Sequence, residues 1–192
     1  EYFHTRRGTI NGEIQHETRS AYPKLWILAD CSSHLVLSLA SGRGPGADIV
    51  KALPLLEQTM PSFKLHTLLA DAGLDAEKLH EFIHEQLKAR SLIPPNKVRK
   101  NAPATKPHRR RMEDLFAGPL PLYRQRRQVE TVFSMIKRNL SDSLKARTTT
   151  SQEQEMALLA VTHNIMIVAV LLPWLAFLHS TAPEVEGISR WK

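Results

Sequence analysis

Two acids are where chemistry could be built. Asp71 closes the apolar run LHTLLAD (65–71), and Glu130 lies inside YRQRRQVETVFSMIKRNL (123–140), near Arg126 and Lys137. Carboxylates drawn from distant parts of a chain are how a protein holds Mg²⁺ for phosphoryl chemistry. Two such ions can activate a water or a 3′-hydroxyl on one side and steady the leaving oxygen on the other. Neighbouring cations would then hold the scissile strand by its phosphates. Each acid also has a plainer reading. Asp71, two residues before Gly73, would serve as a turn former or helix cap, and taken alone that reading wins. Residues 123–140 could be an ordinary amphipathic helix with a cationic surface.

The elements that must position these acids follow from periodicity. Read as one helix at ~100° per residue, Tyr123, Arg126, Glu130 and Lys137 fall within roughly 60° of one another. Val129, Val132, Phe133, Ile136 and Leu140 make the adjoining apolar sector, the face expected against the core. The helix is expected to start near Leu120–Tyr123, after Pro119 and Pro121. Before Asp71, LWILAD (25–30) and LVLSLA (35–40) read as two sequential antiparallel strands, buried on both faces. Residues 41–46, SGRGPG, read as a loop; they lack the Lys-Ser/Thr of a phosphate-binding P-loop. Asp48 is the expected cap of a helix reaching about Met60, and a second helix is expected from about Ala76 to Ala89. Ser91–Pro95 reads as a short strand stopped by prolines.

Residues 96–118 read as a mobile or nucleic-acid-facing basic connection. Thr148–Ser151 offers an N-cap for a last helix. The apolar stretch Met156–Leu178 could span a membrane by length. The polar Thr162-His163-Asn164 and the breaking Pro173 favour instead a helix buried in the core, followed by a second short one. The order of elements is that of an α/β layer arrangement around a mixed sheet.

The 192 residues suffice for one domain with a full core. The formal net charge is +7, which favours a polyanionic partner such as DNA or RNA, or marks a merely basic protein. The single cysteine, Cys31, excludes a disulfide framework and fits a reducing compartment. The nine histidines show no ligand spacing for zinc. The chain opens on Glu1, and its start is expected to be missing. We divide it into a basic arm or short hairpin (1–22), a main domain (23–179) and a loose tail (180–192).

Tyr123, Arg126, Glu130 and Lys137 match Y-x2-R-x3-E-x6-K. In this the chain resembles a large group of bacterial insertion-sequence transposases of the DDE type. LLADAGLDAEKLHE around Asp71 is similar to that group's second-acid motif. IPP at 93–95 before a basic stretch, and THN at 162–164 in a terminal helix, also fit the group's plan. The resemblance covers essentially the whole chain. It implies a ribonuclease H-like mixed sheet flanked by helices, with the first strand missing here. It implies Mg²⁺- or Mn²⁺-dependent cleavage and transfer of DNA strands at transposon ends, in the bacterial cytoplasm at the nucleoid. It implies a site of three acids, with Asp71 second and Glu130 third, and Tyr123, Arg126 and Lys137 at the DNA. It further implies homo-oligomers on paired ends. The first acid is not found: Asp30 is the nearby substitute, but it corresponds to the end of the second strand. The alternatives are a catalytically dead DNA-binding remnant, whose DNA binding would be salt-sensitive, and a membrane-associated basic protein resting on residues 156–178.

Overall fold

The computed structural model describes residues 22–44, 46–59, 64–96 and 106–181, with backbone alone for 174–181. It also gives the backbone of an antiparallel pair, β1 (Thr9–Ile10) and β2 (Glu13–Ile14). The rest of the expected arm, the basic run at 97–105 and residues 182–192 of the expected tail lie outside the described residues.

β3 (Tyr22–Ala29) and β4 (Val36–Gly44) form an antiparallel hairpin in register from Tyr22↔Gly44 to Ala29↔Val36. Two expectations change here. β4 runs on through Ser41–Gly44, because the long partner strand supplies ladder bonds that local glycine content does not forbid. Most hairpin residues are also half-buried rather than sealed on both faces. The turn is tied by Asp30, whose carboxylate accepts from the backbone N–H and the hydroxyl of both Ser32 and Ser33. These bonds hold the Asp30 carboxyl below its usual range, against the opposing effect of burial. Asp30 is thus spent on the turn, as its place at the end of this strand suggests.

Helix α1 (Ile49–Thr59) follows. Asp48 does not cap it with its side chain; the carboxylate instead accepts from the Trp26 indole at 2.7 Å and pairs with Lys24. β5 (Thr67–Leu69) runs parallel to β6 (Arg90–Leu92). The crossover between them holds α2 (Glu77–Glu81) and a π turn, Phe82–Gln86, in place of one long helix. Leu56, Leu68, Leu79, Ile83 and Ile93 fill the core between α1, the crossover and this pair.

Helix α3 (Pro107–Leu115) replaces part of the expected basic connection. Pro107 at its first turn is preorganised for a helix start. The Glu77 carboxylate caps it from a distance, accepting from His108 N at 2.9 Å and Arg109 N at 3.1 Å. A 3-10 turn, Pro121–Arg126, leads into α4 (Arg127–Asn139). α5 (Thr149–Thr181) is one continuous helix through Pro173, not two. The Thr148 hydroxyl caps it, accepting from Ser151 N at 3.2 Å. Only one side of α5 is buried, which corrects the expected core helix: Met156, Ala160 and His163 pack inward, while Leu158, Val161 and Ile165 are exposed. A second core joins Val36, Val132, Ile136 and Ala160 across β4, α4 and α5.

The ladders β3–β4 and β5–β6 are separate among the described residues. Between them lies a groove of about 460 Å³, lined by the consecutive residues 27–31 and 64–71 together with Leu122, Gln125, Arg126 and Val129. Successive strand residues face opposite sides of a sheet. A groove lined by every residue in turn is therefore bounded by strand edges rather than by sheet faces.

Candidate active site

At the end of β5 the backbone breaks into a 3-10 turn, Ala72–Leu74. Asp71 caps that turn, its carboxylate accepting from Ala72 N at 2.9 Å. The plain reading of Asp71 as a cap therefore holds, yet one carboxylate oxygen remains for other partners. The side chain is 70% exposed.

The route from α4 to Asp71 runs through Tyr123 and Arg126. Both lie on the 3-10 turn rather than on α4, so the single-helix wheel does not describe them. Pro119 and Pro121 delay the helix, and the turn folds its side chains toward β5. The Tyr123 hydroxyl donates to Ala70 O at 3.2 Å, one residue from Asp71. Its ring meets Phe116 edge-on at 5.0 Å. Partial burial pushes the Tyr123 phenol pKa up.

Arg126 then joins the two acids. One guanidinium nitrogen lies 2.7 Å from Glu130 and the other lies 3.7 Å from Asp71. Glu130, in the first turn of α4, is 60% exposed. Asp71 and Glu130, 59 residues apart in the chain, thus converge on a single cation. Lys137 sits two turns further along α4, exposed, in its last turn. Asp30 and Asp71 line the same groove.

The base beneath Glu130 is firm. Val132 and Ile136 are buried in the second core. The β3–β4 turn is held against α4 and α5 through His34: its ring bonds to Gln128 at 2.8 Å, and its carbonyl accepts from His163 at 3.0 Å. His34 has φ of 61°, a left-handed conformation unusual outside glycine, kept by these contacts.

A second polar cluster, which sequence reasoning missed, stands behind Asp71. Asp75, buried, is held by Arg109 at 2.8 Å and accepts from Asn96 N at 2.8 Å. His80 lies between Asp75 at 3.3 Å and the Ser91 hydroxyl at 2.7 Å, and His84 reaches the same hydroxyl at 3.0 Å. Asp, His and Ser in sequence suggest a nucleophile relay. His80 and Ser91 are 0% and 1% exposed, so no substrate reaches them. The cluster is a structural brace that locks α2 and α3 to β6. The DAGLDAEKLHE string carries two of its members in plain view, but their partners, Ser91 and Arg109, are distant in sequence.

A family model for the transposase DDE domain matches residues 5–165. The chain belongs to that family. No curated protein and no solved structure matches it. Short sheets flanked by helices, with both parallel and antiparallel ladders, agree with the ribonuclease H-like architecture expected of such a domain. As a transposase domain it acts on DNA, and the family works with divalent metals. Among the described residues no group of three His, Cys, Asp or Glu is placed to hold a metal ion. Asp71 and Glu130, which share Arg126 as a partner, are of the type that suits Mg²⁺, an ion often held by one or two carboxylates with water and substrate phosphate completing its shell.

Proposed function

We propose that this domain carries out Mg²⁺- or Mn²⁺-dependent DNA strand cleavage and transfer at the ends of an insertion sequence, in the bacterial cytoplasm at the nucleoid. Asp71 and Glu130 are two of the acids that hold the cation. The observation that carries this reading is their convergence on Arg126. When bound, the metal supplies a Lewis acid that lowers the pKa of an attacking water or hydroxyl and offsets charge on the leaving oxygen. The chain's own residues do the rest. Tyr123 fixes the 3-10 turn to the end of β5 and so sets the spacing of the two carboxylates. Arg126 and Lys137 present cationic groups to the phosphates that flank the scissile bond, Arg126 with a planar fork suited to two phosphate oxygens. Arg126 would exchange Asp71 for phosphate at little cost, since exposed ion pairs contribute only about 0–1 kcal/mol.

The third acid belongs on a strand lying in the groove between β3 and β5. Both strands leave an edge unpaired there among the described residues. Such a strand would end beside Asp71. Glu130→Gln should reduce cleavage of DNA bearing the flanking terminal repeats by roughly 10²-fold or more while leaving DNA binding intact. Unchanged cleavage would sink the site assignment. The second reading, a DNA-binding remnant without catalysis, is favoured by the lack, among the described residues, of a group of three ligands placed to hold a metal ion. It predicts binding without metal-dependent cutting in wild type as well.

A further inference from the structure

Residues 141–148 link α4 to α5 with neither helix nor strand. A polar surface link of this kind is ordinarily loose. This one is held by side chains of α5. The Glu155 carboxylate accepts from the backbone N–H of Lys145, at 3.0 Å to one oxygen and 3.1 Å to the other, and from that of Ala146 at 2.8 Å. Gln152 donates its amide N–H to Ala146 O at 3.0 Å, and its amide oxygen accepts from Arg43 of β4 at 2.8 Å. Both backbone groups of Ala146 are thus bound by α5. At the near end, the Ser141 hydroxyl donates to Ser143 O at 2.6 Å, and Leu140 packs on the second core. The backbone N–H groups of Lys145 and Ala146 draw the Glu155 carboxyl pKa below its usual range, so the acid stays charged.

What these bonds fix in place is basic. Lys145 and Arg147 flank Ala146, and both are exposed. Lys137 and Arg138 are exposed in the last turn of α4, just before the link. Residues 137–147 carry these four cations and one acid, Asp142. At ~1.5 Å per residue, Lys137 lies about 10 Å along α4 from Glu130, or about three steps of a DNA strand. The link lies past Lys137, where the next phosphates of that strand need partners. An ordered backbone on either side of Ala146 gives both cations a fixed origin, which lowers the entropy lost when they meet phosphate.

We propose that Lys145 and Arg147 form a second phosphate clamp on DNA, and that Glu155 is the positioning residue that holds the clamp in shape. A surface carboxylate then strengthens binding to a polyanion. The clamp extends the DNA path read at Arg126 and Lys137 and rests on it, but it uses neither metal nor cleavage. Phosphate contacts carry no sequence information, so the clamp grips any duplex that follows α4.

Fluorescence-anisotropy titration of the purified chain with a labelled duplex of arbitrary sequence, in chelator and over a range of salt, tests this. Lys145→Ala and Arg147→Ala should each lower the slope of log affinity against log salt by about one. Glu155→Ala removes a negative charge, and charge alone predicts tighter binding. The clamp predicts weaker binding, by roughly fivefold or more, the cost of re-ordering one residue of backbone. That loss should vanish when residues 145 and 147 are already alanine, with circular dichroism unchanged. Glu155→Gln keeps an acceptor oxygen for the link and should recover most of the affinity. Glu153→Ala, on the same helix, should bind slightly tighter than wild type. Tighter binding by Glu155→Ala, or a loss that persists without the two cations, would overturn the proposal. Should Glu155→Ala not fold, wild-type salt slopes in Lys145→Ala and Arg147→Ala overturn it instead. A wild type that binds no duplex sinks the whole DNA path, whereas binding indifferent to the link sinks the clamp alone.

Discussion

On the proposed reading Arg126 sits between the two carboxylates that hold the cation, which makes it a competitor for that cation as well as a ligand for DNA. It separates two exposed carboxylates that would otherwise repel one another. Arg126→Ala should therefore raise Mn²⁺ affinity in the absence of DNA, by roughly threefold or more given the strength of exposed ion pairs. The same variant should cleave DNA less well. Calorimetric titration with Mn²⁺ checks the first part; weaker metal binding in Arg126→Ala would mean that the guanidinium holds the acids in place instead. At the same scale, burial holds both His80 and His84 below the ordinary histidine pKa, outweighing Asp75 at His80 and reinforced by His108 at His84. Lowered histidine pKa values mean that the unfolded chain takes up more protons. Stability is then complete above the unfolded value, about 6.5, and is lost as pH falls below it toward the folded values. Thermal unfolding should shift to lower temperature across that window, and His84→Gln should flatten the dependence. A wild type equally stable on both sides of the window would contradict the assignment. The placing of Glu130 beside Arg126 was legible from their spacing along the chain. The histidine brace was not, because its bonds join positions up to 34 residues apart.

At the scale of elements, the sequence showed which segments are apolar but not which side of each is covered. The β3–β4 hairpin and the β5 and β6 strands follow from runs of apolar residues between turns. α3 escaped notice because Met112 is its one fully buried side chain and its cap comes from Glu77, far away in sequence. The turn before α4 shortened the helix because two prolines precede it, and the approach of Tyr123 to Ala70 is a tertiary contact that no helical wheel contains. α5 looked like a core helix because its apolar residues are nearly continuous; the fold buries one stripe and leaves the other. The polar interruption in α5 has a specific cause. Asn164 supplies both hydrogen bonds that a neighbouring strand would give Val36, and so closes the edge of β4. Asn164→Leu should leave that N–H and carbonyl unpaired and cost about 2 kcal/mol, measured by urea unfolding. A loss below a few tenths would mean that water replaces the amide freely.

Across the whole molecule, two cores and a brace serve one arrangement. The first core sets β5 and hence Asp71, the second sets α4 and hence Glu130, and the 3-10 turn at 121–126 spans the distance between them. The open groove between the two ladders borders the proposed site at Asp71 and Arg126. The basic excess of the chain suits the DNA on which a transposase domain acts. The proposed chemistry turns on a shared cation between residues 71 and 130. Iron(II) bound in place of Mg²⁺ generates radicals that cut the polypeptide near its ligands, and the fragments report the site directly. Wild type with iron and ascorbate should be cut beside both Asp71 and Glu130, with both cuts lost in either Asp71→Asn or Glu130→Gln and suppressed by excess Mg²⁺. Cuts elsewhere, or a cut at one acid that survives loss of the other, would contradict a common metal site.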